Sequence, residues 1–149
     1  NISIPVQGLL SDMPAQFAEN SFLVPGDKIV GIVSPEKGIT IFSVDSNVLT
    51  NFEKSPESWI KLQWKKDIDF TFTSRIKITI INEVGVLNSI TSTIADYGGN
   101  INNLILNEKD NDFYNLIIDI NVNDNKHISD IVKSLEGLPV VEAVIRFIG

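Results

Sequence analysis

Residues 74–104 read SRIKITIINEVGVLNSITSTIADYGGNINNL, and this stretch decides which fold the sequence favours. Its first part alternates between apolar and polar residues, which predicts a half-buried strand. Three isoleucines share the apolar face of that strand: Ile76, Ile78 and Ile80. Apolar residues then recur at helical spacing, which predicts an amphipathic helix. The inner face of this helix is expected to hold Leu87, Ile90, Ile94 and Tyr97. Gly98 and Gly99 are expected to end it, because glycine tolerates the left-handed conformation common at helix C-termini.

The rest of the C-terminal half continues this succession of strands and helices. The predicted elements are a strand at 101–106, a turn at 107–112, a strand at 113–122, a helix capped by Asp124 or a neighbouring Asn, and a strand at 140–148. Apolar side chains form a stripe along this second helix: Ile128, Ile131, Val132 and Leu135. The order βαββαβ predicts an α+β fold of the ferredoxin-like plan, in which two helices cover one face of an antiparallel sheet.

The N-terminal half has the pattern of a small β-rich domain. Two apolar runs at 29–33 and 39–44 flank a turn-like link, which predicts a hairpin. A short helix is expected to follow from Ser46, with an inner face of Val48, Leu49 and Phe52. An alternating run at 59–64 predicts a third strand. Because the pattern changes between residues 65 and 74, we expect two domains, at 1–70 and 74–149.

Two short motifs carry a family resemblance. NEVGVL at 82–87, followed by GGNI at 98–101, resembles the amino-acid-sensing ACT domain. The longer stretches at 75–104 and 113–146 resemble the C-terminal end of the long Rel/SpoT alarmone synthetase and hydrolase proteins. Upstream, PGDKIVGIV at 25–33 and KGITI at 37–41 resemble the conserved-cysteine or zinc-finger region that precedes the ACT domain in that family.

The metal ligands of the resembling zinc-finger region are replaced in this chain. The matching positions hold Gln16, Asn20, Ser21, Phe22, Phe42 and Ser46. A zinc ion needs thiolate or imidazole ligands in a tetrahedral array, and none of these side chains supplies one. We therefore expect a degenerate domain without metal, and no cofactor. The single histidine, His127, is interpreted as a surface residue of the other domain.

Composition and charge exclude several classes of function. The 149 residues include no cysteine. They carry a net charge of −7 that is spread along the chain, and this charge distribution weighs against a large nucleic-acid-binding surface. No stretch approaches the roughly 18 apolar residues that span a bilayer, so we expect a cytoplasmic protein without membrane contact. The chain begins at Asn1 rather than Met, and we expect it to be part of a longer polypeptide.

Catalytic residues are not expected in this chain. It offers no Ser-His-Asp set, no Walker-type glycine loop and no Glu-x-x-His spacing. The resemblance implies that (p)ppGpp synthetase or hydrolase domains lie upstream in the same polypeptide. We therefore interpret the chain as a regulatory segment of the stringent response that acts on those domains.

An amino-acid site is expected where the first helix of the ACT-like unit begins. Unpaired N–H groups and the helix dipole favour a carboxylate there, and Gly85 lets a ligand approach the backbone closely. The resemblance implies that Asn82 and Asn100, from neighbouring subunits of a homodimer, contact the bound amino acid. The predicted site comprises Asn82, Glu83, Val84, Gly85, Val86, Leu87, Asn100 and Ile101. Its apolar members favour a branched-chain amino acid as the ligand.

Two alternatives stay open at the level of sequence. In one, Asn82 caps the helix, Gly85 permits a tight turn and Asn100 takes a left-handed turn, so the ACT-like unit is structural and binds no ligand. In the other, the segment docks on the ribosome or another RNA. An RNA-binding sheet needs exposed aromatics and basic residues, and the predicted strands supply few of either.

Overall fold

The computed structural model describes residues 4–148, which divide into two units. The first unit holds residues 4–69 together with Ile148, and the second unit holds Phe70–Phe147. Each unit has its own sheets and its own buried residues.

Six short strands and two 3-10 helices form the first unit. The strands are β1 (Val6–Gln7), β2 (Ala15–Phe17), β3 (Ile29–Ser34), β4 (Gly38–Ser43), β5 (Trp59–Lys61) and β6 (Gln63–Trp64). The 3-10 helices span Asn47–Phe52 and Pro56–Ser58. Strands β2-β4-β3-β5 form one sheet, in which β2 runs parallel to β4, and β1 pairs with β6 in a second sheet. The predicted hairpin of β3 and β4 is confirmed.

Two predictions for the first unit are wrong. The single strand expected at 59–64 is two strands, because β5 pairs with β3 whereas β6 pairs with β1, and the buried Leu62 lies between them. Val48 was expected on the inner face of its helix but is 46% exposed. The helix is a 3-10 helix with three residues per turn, so Leu49 and Phe52 share one face and Val48 lies off it.

The second unit has the order βαββαβ. Its elements are β7 (Phe72–Ile81), α1 (Val86–Asp96), β8 (Asn100–Glu108), β9 (Phe113–Val122), α2 (Asn125–Glu136) and β10 (Val141–Phe147). All neighbours in the sheet, whose order is β10-β7-β9-β8, are antiparallel. The α+β class and the ferredoxin-like plan are therefore confirmed. Alternate residues of β7 and β9 are fully or almost fully buried on one face: Ile76, Ile78, Ile80, Leu116, Ile118, Ile120 and Val122.

Both helices pack on that buried face, but α1 does so with a different stripe from the predicted one. The buried residues of α1 are Val86, Ile90 and Ile94, whereas Leu87 is 41% and Tyr97 49% exposed. Leu87 lies about 100° around the helix from Val86, and Tyr97 lies beyond the last helical residue. The expected stop is confirmed, because Gly98 adopts a φ of +79° directly after Tyr97.

The ends of two strands also differ from the sequence prediction. Strand β8 continues to Glu108, so the connection to β9 is shorter than the turn predicted at 107–112. Strand β10 ends at Phe147, and Ile148 packs against the core of the first unit instead. The bounds of β9 match the prediction, and Asp124 caps α2 by accepting a hydrogen bond from the His127 backbone N–H at 2.8 Å.

His127 connects the two helices rather than merely lying at the surface. Its Nδ1 accepts a hydrogen bond from the Asn123 backbone N–H at 2.9 Å, and its Nε2 lies 2.7 Å from the Tyr97 carbonyl oxygen. Because a carbonyl can only accept, we assign the hydrogen of the neutral ring to Nε2. The imidazole therefore holds the C-terminal end of α1 against the loop that precedes α2.

A paired arginine and aspartate lie opposite each other on β7 and β9. Arg75 donates from Nε and Nη2 to the two carboxylate oxygens of Asp119, at 2.7 and 2.9 Å. These hydrogen bonds, with the positive charge of Arg75, hold the pKa of Asp119 below its usual range, and a hydrogen bond from Asn103 adds to the effect. Asp119 is only 9% exposed, so its carboxylate depends on these partners.

We expect the substitution Asp119→Asn to lower the stability of the second unit in a pH-dependent way. A carboxyl whose pKa is depressed by folding stabilises the protein above its unfolded pKa of about 3.9, and this contribution disappears as pH falls through the lower folded value. The difference in the free energy of unfolding between the chain and the variant should be about 1–2 kcal/mol at neutral pH, because Arg75 is partly exposed and solvent screens the pair. Urea unfolding between neutral pH and about pH 3 measures it.

This difference should shrink as pH falls below about 4, where Asp119 of the unfolded chain binds a proton, and it should disappear once pH falls below the lower pKa of the folded state. The substitution Asp130→Asn serves as the control, because its partner Lys126 is an exposed i,i+4 neighbour. A difference for Asp119→Asn that stays constant across the pH range would contradict the assignment of the effect to this ion pair.

Candidate functional site

A small cavity opens where β7 ends and α1 begins. Its volume is about 180 Å³, and its lining combines Ile80, Ile81, Asn82, Glu83, Gly85, Val86, Leu87, Asn88, Leu106 and Tyr114. Five of the eight predicted site residues therefore line one cavity: Asn82, Glu83, Gly85, Val86 and Leu87.

The backbone around Gly85 is shaped for close approach by a ligand. Gly85 is the N-cap of α1 with a φ of +84°, a conformation that residues with a side chain rarely adopt. A Cβ atom placed on Gly85 would meet nothing within 4 Å, so the space over this residue is open. No side chain among residues 4–148 caps the helix there. The first N–H groups of α1 are consequently available to an acceptor such as a carboxylate.

Backbone hydrogen bonds fix the loop that carries Asn82 and Glu83, two of the polar residues that line the cavity. The Asn82 N–H donates to the Asp112 carbonyl at 3.0 Å, and the Glu83 N–H donates to the Ile81 carbonyl at 3.0 Å. The side chains of Asn82 and Glu83 are exposed at the mouth of the cavity. The deeper wall is apolar, with Ile80 and Val86 almost fully buried.

Three predicted site residues lie outside this cavity. Val84 is fully exposed. Asn100 and Ile101 lie at the opposite end of the sheet, where Asn100 pairs with Asn121 near the end of β9, whereas Asn82 neighbours the start of β9. The length of β9 separates the two ends by about 27 Å, at about 3.4 Å per residue. Within one chain, Asn82 and Asn100 therefore do not meet.

Sequence reasoning missed the part of the cavity that the neighbouring strands supply. The cavity is also lined by Ile80 of β7, Leu106 of β8 and Tyr114 of β9. These three strands meet there because Tyr114 pairs with Ile80 on one side and with Glu108 of β8 on the other. The alternation of β9 did place Tyr114 on the inner face. Only the pairing register, however, brings Tyr114 and Leu106 to the end of the sheet where α1 begins.

A second, larger cavity lies in the first unit, where the resemblance placed a metal site. It measures about 490 Å³, and four of the six positions that match zinc ligands line it: Gln16, Ser21, Phe42 and Ser46. An amide, two hydroxyls and an aromatic ring do not fit a zinc ion, which takes thiolate, imidazole or carboxylate ligands. Across residues 4–148, no three His, Cys, Asp or Glu side chains are grouped so that they could hold a metal ion.

The helices of residues 4–148 are all too short or too polar to cross a bilayer.

Comparison with protein families gives two matches that follow each other along the chain. Residues 4–65 match the RelA/SpoT RIS domain, and residues 69–146 match the ACT domain. The zinc-finger type that the resemblance implied for the first segment stays a prediction.

Curated relatives match almost the whole chain. The GTP pyrophosphokinase rsh of Brucella abortus (strain 2308) is 37% identical over 149 residues, which are 99% of this chain and 20% of the relative. The bifunctional (p)ppGpp synthase/hydrolase SpoT of Escherichia coli (strain K12) is 29% identical over 143 residues, 96% of this chain and 20% of the relative. The chain thus spans about a fifth of the length of the curated relatives that it matches.

Solved structures include a similar domain. The ACT domain from GTP pyrophosphokinase of Chlorobium tepidum is 25% identical, with a TM-score of 0.46, and the match covers 52% of this chain and 99% of that one. The family matches and the names of the curated relatives support a C-terminal regulatory region of Rel/SpoT proteins. Since the match at 69–146 covers more than half of its 149 residues, the chain belongs to the ACT domain family.

Proposed function

We propose that this chain is the amino-acid-sensing regulatory segment of a cytoplasmic Rel/SpoT-type (p)ppGpp synthetase or hydrolase. In this proposal an apolar amino acid, of the branched-chain class, binds at the start of α1 and controls catalytic domains elsewhere in the same polypeptide. The observation that carries the proposal is the apolar cavity beneath the open N-terminus of α1. The segment itself performs no catalysis.

The cavity supplies separate places for the two ends of an amino acid. The carboxylate lies over Gly85 and accepts hydrogen bonds from the first N–H groups of α1, where the helix dipole favours negative charge. Glu83 and the Asn82 amide lie at the mouth and suit the ammonium group. The side chain of the bound amino acid then enters the apolar interior of the cavity beside Ile80 and Val86. The small volume of this cavity suits a branched aliphatic group.

Dimerisation completes the site in this proposal. Strand β8 is an edge strand of nine residues, and its sequence NINNLILNE has one charged residue and neither Lys nor Pro. Its exposed Ile105 and Leu106 make it a suitable template for pairing with a second chain. If β8 pairs antiparallel with β8 of a second chain, Asn100 of the first chain lies at the end of the second chain's sheet where that chain's Asn82 is located. The 27 Å separation within one chain is thereby bridged between two chains.

Regulation follows from thermodynamic linkage. If the complete site exists only in the dimer, a ligand that binds there favours the dimer over the free chains. The dimer and the free chains place the flanking parts of the polypeptide differently. A change in amino-acid concentration therefore shifts the populations of the active and inactive states of the catalytic domains.

Calorimetric titration of the chain with the twenty amino acids tests the proposal. We expect saturable binding of valine, leucine or isoleucine, and a shift from monomer to dimer in sedimentation velocity when one of them is present. In the double variant Asn82→Ala, Asn100→Ala, the affinity should fall at least about tenfold, because two polar contacts to the ligand are lost.

The substitution Asn123→Ala is the matched control, since this exposed asparagine lies in the loop before α2 and outside the cavity. Its affinity should equal that of the unmodified chain. If none of the twenty amino acids binds, the sensing proposal is wrong and the segment is a ligand-free structural or ribosome-docking module.

A further inference from the structure

The four-stranded sheet of the first unit has two faces, and they are covered to different degrees. One face packs on the main core, which contains Ile39 and Ile41 of β4 at 0% exposure. The other face carries Gln16, Thr40 and Ile32, which are register partners across β2, β4 and β3. The 3-10 helix at Asn47–Phe52 covers this second face with Leu49, which packs with Ile32 and Phe42. The cavity of about 490 Å³ opens on this second face, beside the helix.

The interior of the cavity is mainly apolar. Ile32 and Phe42 line it and are 2% and 9% exposed, and Phe52 of the 3-10 helix contributes a partly buried ring. Val48 of the same helix also lines the cavity, yet 46% of its surface is exposed. An apolar occupant would remove this exposed side chain from water, which is favourable.

Polar groups line the same cavity in a defined arrangement. The Gln16 amide donates from Nε2 to the Thr40 Oγ1 at 2.8 Å, which fixes both side chains on the sheet. A threonine hydroxyl also has a hydrogen to donate, and a glutamine amide has an oxygen that accepts. The charged lining residues, Glu19 and Lys37, are exposed and of opposite sign. The cavity therefore offers hydrogen bonds without a buried charge.

We infer that this cavity is a second small-molecule site, which binds an uncharged, mainly apolar ligand with one hydroxyl or ring N–H group. The ligand's ring or branched chain lies against Ile32, Phe42 and Val48, and its polar group bonds to the Gln16–Thr40 pair. The volume falls within the range of about 300–1,000 Å³ that is usual for small-molecule sites. The site lies in the first unit and is independent of the amino-acid site proposed for the second unit.

Titration of the isotope-labelled whole chain with p-cresol and with indole, followed by amide chemical shifts in NMR, tests this inference. We expect saturable shifts around Gln16, Thr40 and Val48, with a Kd of about 1 mM or tighter for probes of this size. Benzoate places a carboxylate in an interior that holds no buried charge, and the lining charges of Lys37 and Glu19 are exposed and opposite in sign, so it should bind at least about tenfold more weakly than p-cresol.

Two substitutions of exposed valines separate this site from unspecific binding. Val48→Trp places a bulky ring in the cavity and should abolish the shifts, whereas Val44→Trp, at a residue that is 43% exposed and outside the lining, should leave them unchanged. Thr40→Val keeps the side-chain shape but removes the hydroxyl, and should weaken p-cresol binding about fivefold or more.

The inference is overturned by any of three results. These are the absence of saturable shifts up to about 5 mM probe, unchanged binding in both Val48→Trp and Thr40→Val, or equal affinity for benzoate and p-cresol. Should Val48→Trp fail to fold, which circular dichroism detects, Thr40→Val alone decides the outcome.

Discussion

Ile118→Ala is expected to lower the free energy of unfolding of the second unit by about 3–5 kcal/mol. Ile118 is 0% exposed and pairs with Ile76 on one side and Leu104 on the other, in the middle of the sheet face that both helices cover. Removal of its side chain loses the transfer free energy and leaves a cavity that these surrounding strands cannot close. Urea unfolding followed by circular dichroism measures the change.

Ile145→Ala is the matched control for this substitution. Ile145 lies on strand β10 of the same sheet but is 52% exposed and outside the proposed dimer interface, so its truncation should cost less than about 1 kcal/mol. Similar losses of stability for the two variants would show that the helix-covered face is not the main core of the second unit.

Gly38→Ala is expected to destabilise the first unit by about 3 kcal/mol or more. Gly38 adopts a φ of +76°, which a residue with a side chain tolerates poorly, and a Cβ atom there would collide with the Pro14 carbonyl oxygen. That same oxygen accepts the hydrogen bond from the Ile39 N–H at 2.9 Å, next to the parallel pairing of β2 with β4. The substitution therefore strains the turn and separates β2 from the sheet.

The control for this second substitution is Gly137→Ala. Gly137 has a φ of −76°, and the nearest atom to its added Cβ would be the Ser134 carbonyl oxygen at 3.4 Å. We expect a change within about 0.5 kcal/mol, measured by thermal unfolding. A stable Gly38→Ala variant with intact β2 would show that the turn relaxes easily, contrary to the close packing seen here.

The candidate amino-acid site was predictable where it depends on neighbours in sequence. Five predicted residues come together because all of them lie within positions 82–87, where β7 leads into α1: Asn82, Glu83, Gly85, Val86 and Leu87. Leu106 and Tyr114 were missed, since they reach the cavity only through the pairing of three strands. The sequence analysis placed Asn82 and Asn100 in neighbouring subunits, and only the pairing of the strands shows that they lie at opposite ends of the sheet within one chain.

The sequence by itself determined the order of elements in the second unit. Strict alternation predicted β9 at its observed bounds, and Asp124 marked the start of α2 through its capping hydrogen bond. These features depend on local backbone preferences and on the two periodicities of strands and helices, which a single sequence displays directly.

Only the tertiary structure decided which of two adjacent apolar residues is buried. Val86 is buried and Leu87 exposed in α1, and Leu49 is buried and Val48 exposed in the 3-10 helix, although all four are apolar. The rotation of a helix against its sheet selects between such neighbours, and that rotation depends on side chains distant in sequence. Long-range packing also separates β5 from β6, because pairing partners rather than local propensity set the end of each strand. The two cavities likewise depend on residues that are distant in sequence.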